Sequence, residues 1–174
     1  MSIAEAPEVS LGAAEDRVTA EEFKQLFRAV PAAVSIVAVS VDGAVHATTV
    51  SAFTSLSVDP PMVMLALDRR SSLLTLIKTH TVFTINVLGH DQAEQALLAA
   101  AKGPEKLPMV HWMAGGHGTR LVGSAAWAAC RAERILDGGD HEIVLALVVN
   151  CAVASSSPLV YHDRTFHRLT AVVD

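Results

Sequence analysis

Six hydroxyl side chains crowd into ATTVSAFTSLSVDPP, residues 47–61: Thr48, Thr49, Ser51, Thr54, Ser55 and Ser57. The stretch has no Lys or Arg, and its one acid, Asp59, comes near its end. Neutral hydroxyls beside a hydrophobic core suit a flat, polar, uncharged ligand whose carbonyls and ring nitrogens want N–H and O–H partners. They equally suit ordinary turns, because loops between strands are commonly rich in Ser and Thr. A second pair, Ser71 and Ser72, opens a predicted helix, and a helix N-terminus is a ready phosphate site. Segments 47–57 and 68–75 can thus hold the two ends of one nucleotide, a flat polar ring at one and a phosphate tail at the other.

His141 is the other residue of interest. GGDHEI places it where a tight turn enters a buried strand. It either projects into a cleft or, with Asp140, closes the turn. The remaining histidines carry no metal signal, because His111/His117 and His162/His167 lack helical ligand spacing and no Cys pair accompanies them. No metal is therefore expected. Cys130 and Cys151 are far apart in sequence and suggest a reducing compartment. G-x-G-x-x-G after a strand, G-x-x-x-x-G-K-S/T, H-E-x-x-H and G-x-S-x-G are all missing. Gly115, Gly116 and Gly118 do not open a predicted helix, so no phosphate loop is expected there.

The elements that must position these residues are mostly strands. Thr19 and Glu22 have capping-box spacing, and Phe23, Leu26, Phe27 and Val30 share one face of a helix that Pro31 stops. AVSIVAVSV (33–41) is a buried strand, Asp42-Gly43 a hairpin turn and AVHATTV its return strand. MVMLAL (62–67) follows Pro60-Pro61, then a helix over 71–80, a strand over 81–88, and a helix over 91–102 ended by Gly103-Pro104. Residues 103–120 read as a long loop. SAAWAACRAERIL (124–136) pairs with EIVLALVVNCAV (142–153), and PLVYH and TFHRLT end the chain as short strands. With no βαβ alternation, the order predicts a mainly β, closed or nearly closed antiparallel barrel.

The 174 residues are 51% hydrophobic, enough for one domain over 19–174 behind a flexible arm over 1–18. A net charge of −5 without a Lys/Arg cluster argues against nucleic acid and anionic membranes. No signal peptide pattern is visible, and apolar runs break before the ~18–20 residues of a span, so a soluble cytoplasmic protein is expected.

The pieces FRAVPAAVSIVAV, ATTVSAFTSLSVDPPMVMLAL, DRRSSLLTLI, FTINVL, GDHEIVLALV and PLVYHDRTFHRL occur in order over most of residues 25–169. In this the chain resembles the flavin reductase-like family, short-chain NAD(P)H:flavin oxidoreductases that supply reduced flavin to partner monooxygenases. The resemblance implies a split β-barrel with a Greek-key core, a homodimer, and a flavin (FAD or FMN) near the subunit interface. It implies that Thr49, Val50, Ser51, Ala52, Ser55, Leu56 and Ser57 wrap the flavin. By the same likeness Asp68, Ser71, Ser72 and Leu73 hold its ribityl and phosphate groups, and His141 and Tyr161 line the nicotinamide side. No residue is implied as acid or base. Ala146, Leu147, Phe166 and Leu73 depart from the family's frequent glycine, glutamate, tyrosine and threonine. NADH is expected over NADPH, because a 2′-phosphate usually needs a basic partner and only Arg69 and Arg70 are at hand. Reduced flavin would reach the monooxygenase by diffusion. The Ala-, Val- and Arg-rich composition is compatible with a GC-rich bacterial genome, and the partner monooxygenase is expected in bacterial specialised metabolism or aromatic hydroxylation. A flavin-storage protein and an oxidase of the pyridoxamine-phosphate type remain alternatives.

Overall fold

The structure is a computed structural model that describes residues 17–101, 111–116 and 118–171. The arm expected over 1–18 and the helix stop at Gly103-Pro104 lie almost wholly outside the described residues. Helix α1 (Ala20–Arg28) begins on the expected capping box: the Glu22 N–H donates to Thr19 Oγ1 at 3.2 Å, and the Thr19 N–H donates to Glu22 Oε2 at 2.9 Å. Strands β1 (Ala32–Ala33) and β2 (Ser35–Val41) then lead to a tight turn. Asp42 and Gly43 both have positive φ, 49° and 82°, which returns the chain with the twist of the flanking strands into β3 (Ala44–Val50).

Two regions differ from expectation. Only Ser51 and Ala52 connect β3 to the next strand, because 53–58 form a strand of their own, β4 (Phe53–Val58). Its residues are mostly exposed, so no apolar alternation marked it as a strand. Likewise the loop expected over 103–120 contains a hairpin, β7 with β8, given below. Its strands of four residues are shorter than any period a sequence window can read.

After β4 come β5 (Pro61–Asp68), α2 (Ser72–His80), β6 (Val82–Val87) and α3 (Ala93–Ala100). The hairpin β7 (Trp112–Gly115) and β8 (Gly118–Leu121) follows. The long pair β9 (Ala126–Gly138) and β10 (His141–Val153), then β11 (Leu159–His162) and β12 (Thr165–Arg168), complete the chain.

Seven strands make one antiparallel sheet in the order β3-β2-β6-β9-β10-β5-β4. Its two end strands, β3 and β4, are joined by only two residues. The sheet must therefore curl until its ends meet, and it forms a barrel that is split where β3 and β4 part. The interior is apolar: Val37, Val39, Leu65, Phe83, Ile85 and Val144 are buried there, and α2 inserts Leu73, Leu74 and Ile77. A second cluster lies on the other face of β2 and β3, where α3 adds Ala96 and Ala99. Buried polar groups are used as ties. Asn86 Nδ2 donates to the Ile36 carbonyl at 3.1 Å, its Oδ1 accepts from the Leu121 N–H at 2.8 Å, and Thr84 Oγ1 donates to the Thr119 carbonyl at 2.6 Å. These bonds fix the β7–β8 hairpin against the barrel. Among the described residues no helix is long and apolar enough to cross a membrane.

Candidate functional site

A groove of about 1190 Å³ opens at the split. Every residue of β3, from Ala44 to Val50, lines it. This is possible because β3 ends the sheet, so its outer edge has no strand partner among the described residues and offers unpaired backbone N–H and C=O groups. Ser51 and Ala52 continue the rim, and both are exposed. The opposite wall is Ala66, Leu67 and Asp68 at the end of β5, then Arg70 and the start of α2 at Ser71, Ser72 and Leu73.

The start of α2 is free to receive an anion. Ser71 occupies the N-cap with extended backbone, yet its hydroxyl makes no capping bond. The first N–H groups of the helix therefore have no partner within it. Leu73 is 3% exposed and packs in the core, so only its backbone can serve a ligand.

Among the described lining residues, the carboxylate and guanidinium groups sit together in one corner. Asp68 and His141 face each other directly across the β5–β10 ladder. Asp68 Oδ1 accepts from the Arg70 N–H at 2.8 Å and from Arg70 Nε at 3.0 Å, and Oδ2 accepts from an Arg70 terminal nitrogen at 2.7 Å. Hydrogen bonds from the Arg70 side chain, then from its N–H, hold the Asp68 carboxyl far below the usual carboxylate range. The same pairing raises Arg70. His141 Nδ1 lies 2.8 Å from Asp140 Oδ1, and this hydrogen bond lowers the Asp140 pKa. With Nδ1 engaged, Nε2 is the ring nitrogen left for the groove.

Nine of the sequence-predicted residues thus come together on one groove: Thr49, Val50, Ser51, Ala52, Asp68, Ser71, Ser72, Leu73 and His141. Four do not. Ser55, Leu56 and Ser57 lie on β4 beyond the split, and Tyr161 lies on β11, its ring 5.2 Å from Phe166. Thr49 has a structural duty as well: its hydroxyl donates to the Ala96 carbonyl at 2.6 Å, tying β3 to α3. That leaves Thr49 only lone pairs to offer a ligand. Sequence reading missed Val45, His46 and Trp112, which also line the groove. Only the position of β3 at the end of the sheet, a tertiary fact, exposes both of its faces. His162 and His167 do approach, with ring centroids 5.8 Å apart. Among the described residues no three His, Cys, Asp or Glu side chains gather as a metal site.

The family model described as flavin reductase like domain matches residues 27–170. The chain belongs to this family. One flavin reductase-like relative is the reductase component of 4-nitrophenol 4-monooxygenase/4-nitrocatechol 2-monooxygenase of Rhodococcus opacus, 36% identical over 83% of this chain and 78% of that protein. Another is the flavin reductase (NADH) of Kitasatospora aureofaciens, 32% identical over 87% of this chain and 82% of the relative. The styrene monooxygenase flavin reductase of Pseudomonas putida S12 superposes with a TM-score of 0.81 at 25% identity, covering 87% and 99% of the two chains. The split barrel is the shared architecture.

Proposed function

We propose that the protein uses NADH to reduce FAD or FMN and releases the reduced flavin to a partner monooxygenase. The observation that carries this reading is the neutral groove along the free edge of β3, with an uncapped helix start on its far wall. A flavin ring needs several neutral donors and acceptors, and its phosphate needs backbone N–H groups; the groove has both. Among the described residues lining the groove, the one Lys or Arg is Arg70, and it is already balanced by Asp68.

When bound, the flavin supplies N5 as hydride acceptor and the nicotinamide supplies C4 as donor. The chain's own work is alignment. The backbone at Ser51 and Ala52 and the edge of β3 hold the ring, Ser71, Ser72 and the Leu73 N–H hold the phosphate, and His141 Nε2 orients the dinucleotide. Alignment alone contributes ~7–11 kcal/mol in well-oriented systems, so no acid, base or nucleophile is required. A backbone N–H at the ring edge also stabilises negative charge that grows on reduction. Ser55, Leu56, Ser57 and Tyr161 belong to this site only as contacts made across a homodimer, and all four are at least partly exposed.

NADH is the preferred donor, because among the described lining residues the Asp68–Arg70 pair leaves no unbalanced Lys or Arg for a 2′-phosphate. The test is steady-state oxidation at the nicotinamide absorbance band with each flavin and each nucleotide. Flavin-dependent NADH turnover is expected. A tenfold higher kcat/KM with NADPH would defeat the donor assignment.

A further inference from the structure

The groove has a second lobe that the flavin assignment does not use. Alternation along β3 sends Ala44, His46, Thr48 and Val50 to the face shared with α2, and Val45, Ala47 and Thr49 to the face shared with α3. All seven line one groove, so the groove straddles the strand edge. On the α3 side its walls are Val45, Ala47, Ala100, Ala101 and Trp112. Trp112 is the only Phe, Tyr or Trp among the described residues that line the groove. Its indole Nε1 is buried and has no hydrogen-bond partner among the described residues. What the indole offers the groove is therefore its carbon framework, a stacking surface beside small alanine side chains.

The size of the groove points the same way. Pockets that bury one drug-sized ligand span roughly 300–1,000 Å³. At about 1190 Å³ this groove has room for more than one ring system. Its length along seven residues of strand is about 20 Å. The β7–β8 hairpin that carries Trp112 is held by the buried Asn86 and Thr84 bonds, and the Val122 N–H donates to the His111 carbonyl at 3.0 Å just beside Trp112. Trp112 thus stands on a fixed element.

We propose that the Trp112 lobe is an adenosine subsite, which takes the purine of a dinucleotide whose other end lies on the α2 side of β3. This inference rests on the flavin-reductase reading. Two dinucleotides carry that purine, FAD and NADH, and the chemistry is the same for both.

The test uses the full chain with Trp112→Ala and Trp112→Phe. FAD and FMN affinities are measured by flavin fluorescence, and KM for NADH with FMN as acceptor. If the lobe holds the FAD purine, Trp112→Ala weakens FAD roughly five- to a hundredfold, leaves FMN unchanged, and Trp112→Phe restores most of the loss. If it holds the NADH purine, the same variant raises KM for NADH by that factor and leaves the FAD/FMN ratio alone. A second measurement needs no truncated tryptophan. The chain has two Trp residues, so in Trp127→Phe the emission reports Trp112 alone. AMP should change that emission saturably. No response to AMP, or equal loss of FMN and FAD with unchanged KM for NADH, overturns the subsite. If FMN itself fails to bind the wild-type chain, it is the flavin reading that fails.

Discussion

The Arg69 guanidinium donates from Nε to the carbonyl oxygen of Gly139 at 2.8 Å, and so clasps the turn that carries His141. A terminal nitrogen of Arg69 also meets Asp137 at 2.9 Å, another lies 3.6 Å from Glu142, and the Arg69 N–H donates to the Asp140 carbonyl at 3.1 Å. Glu142 in turn binds Lys78 of α2 at 2.7 Å. Removing the clasp should misplace His141 without touching the flavin. Arg69→Ala is expected to raise KM for NADH several-fold, leave flavin affinity near wild type, and lower Tm by about 2–4 °C, since partly exposed bonds contribute about 1 kcal/mol. His141→Ala should lower kcat/KM for NADH roughly ten- to a hundredfold. A destabilised His141→Ala enzyme with unchanged NADH kinetics would show that the histidine only closes the turn.

Arg70, one residue on, has the opposite fate and stays tied to Asp68 inside the groove. Asp68→Asn should free that cation and shift the kcat/KM ratio toward NADPH by several-fold. An unchanged ratio would mean Arg70 is out of reach of the 2′ position. The pH dependence has a definite sign. The folded Asp68 pKa is depressed below its unfolded value, so the pairing stabilises the fold above the ordinary carboxylate range of about 4 and is lost as pH falls below it. Acid unfolding of Asp68→Asn should therefore be less steep than that of the wild type on the acid side of pH 4.

Thr81 ends α2 in the left-handed region, with φ 59° and ψ −26°. A β-branched residue is strained there, and glycine is not. Thr81 is exposed, so its side chain has little packing to lose. Thr81→Gly is expected to stabilise the protein by about 0.5–1 kcal/mol, seen as a Tm higher by roughly 1–4 °C. A lower Tm would show that the Thr81 side chain holds something the strain argument ignores.

Helix α1 has no buried residue: Phe23, Leu26 and Phe27 on its apolar face are 53%, 62% and 53% exposed, and Val30, two residues past its end, is 48% exposed. Phe23 and Phe27 rings stack against each other at 4.7 Å rather than into the barrel. An apolar face of this kind marks an association surface. Light scattering should give a dimer mass, and Phe23→Glu with Phe27→Glu should shift it toward monomer. A wild-type monomer with flavin bound would rule out contacts from both chains.

Much of the barrel was legible because its signals are local. Thr19 and Glu22 bond as their spacing requires, and Asp42-Gly43 makes its turn. Ser71 starts α2, and the strand pair over 126–153 follows from its turn. What escaped is long-range. Strand β4 is an exposed edge, held as a strand by its ladder to β5 and not by any apolar period of its own. The β7–β8 hairpin is held by Asn86 and Thr84, more than thirty residues away in sequence. Arg69 and Arg70 are chemically identical neighbours, and only the fold decides that one clasps a turn while the other lines the groove. Cys130 and Cys151 are remote in sequence yet sit on paired strands; burial, then the neighbouring Cys151, pushes the Cys130 thiol up to about 12.

The most direct test of the function is anaerobic mixing of the protein with one equivalent of flavin and one of NADH. Both the visible flavin band and the nicotinamide band are followed. The expected result is loss of both bands in equal molar amounts, much faster than without protein. Bound flavin, seen by its fluorescence, with both bands unchanged would contradict the reductase assignment and leave a flavin-storage protein in its place.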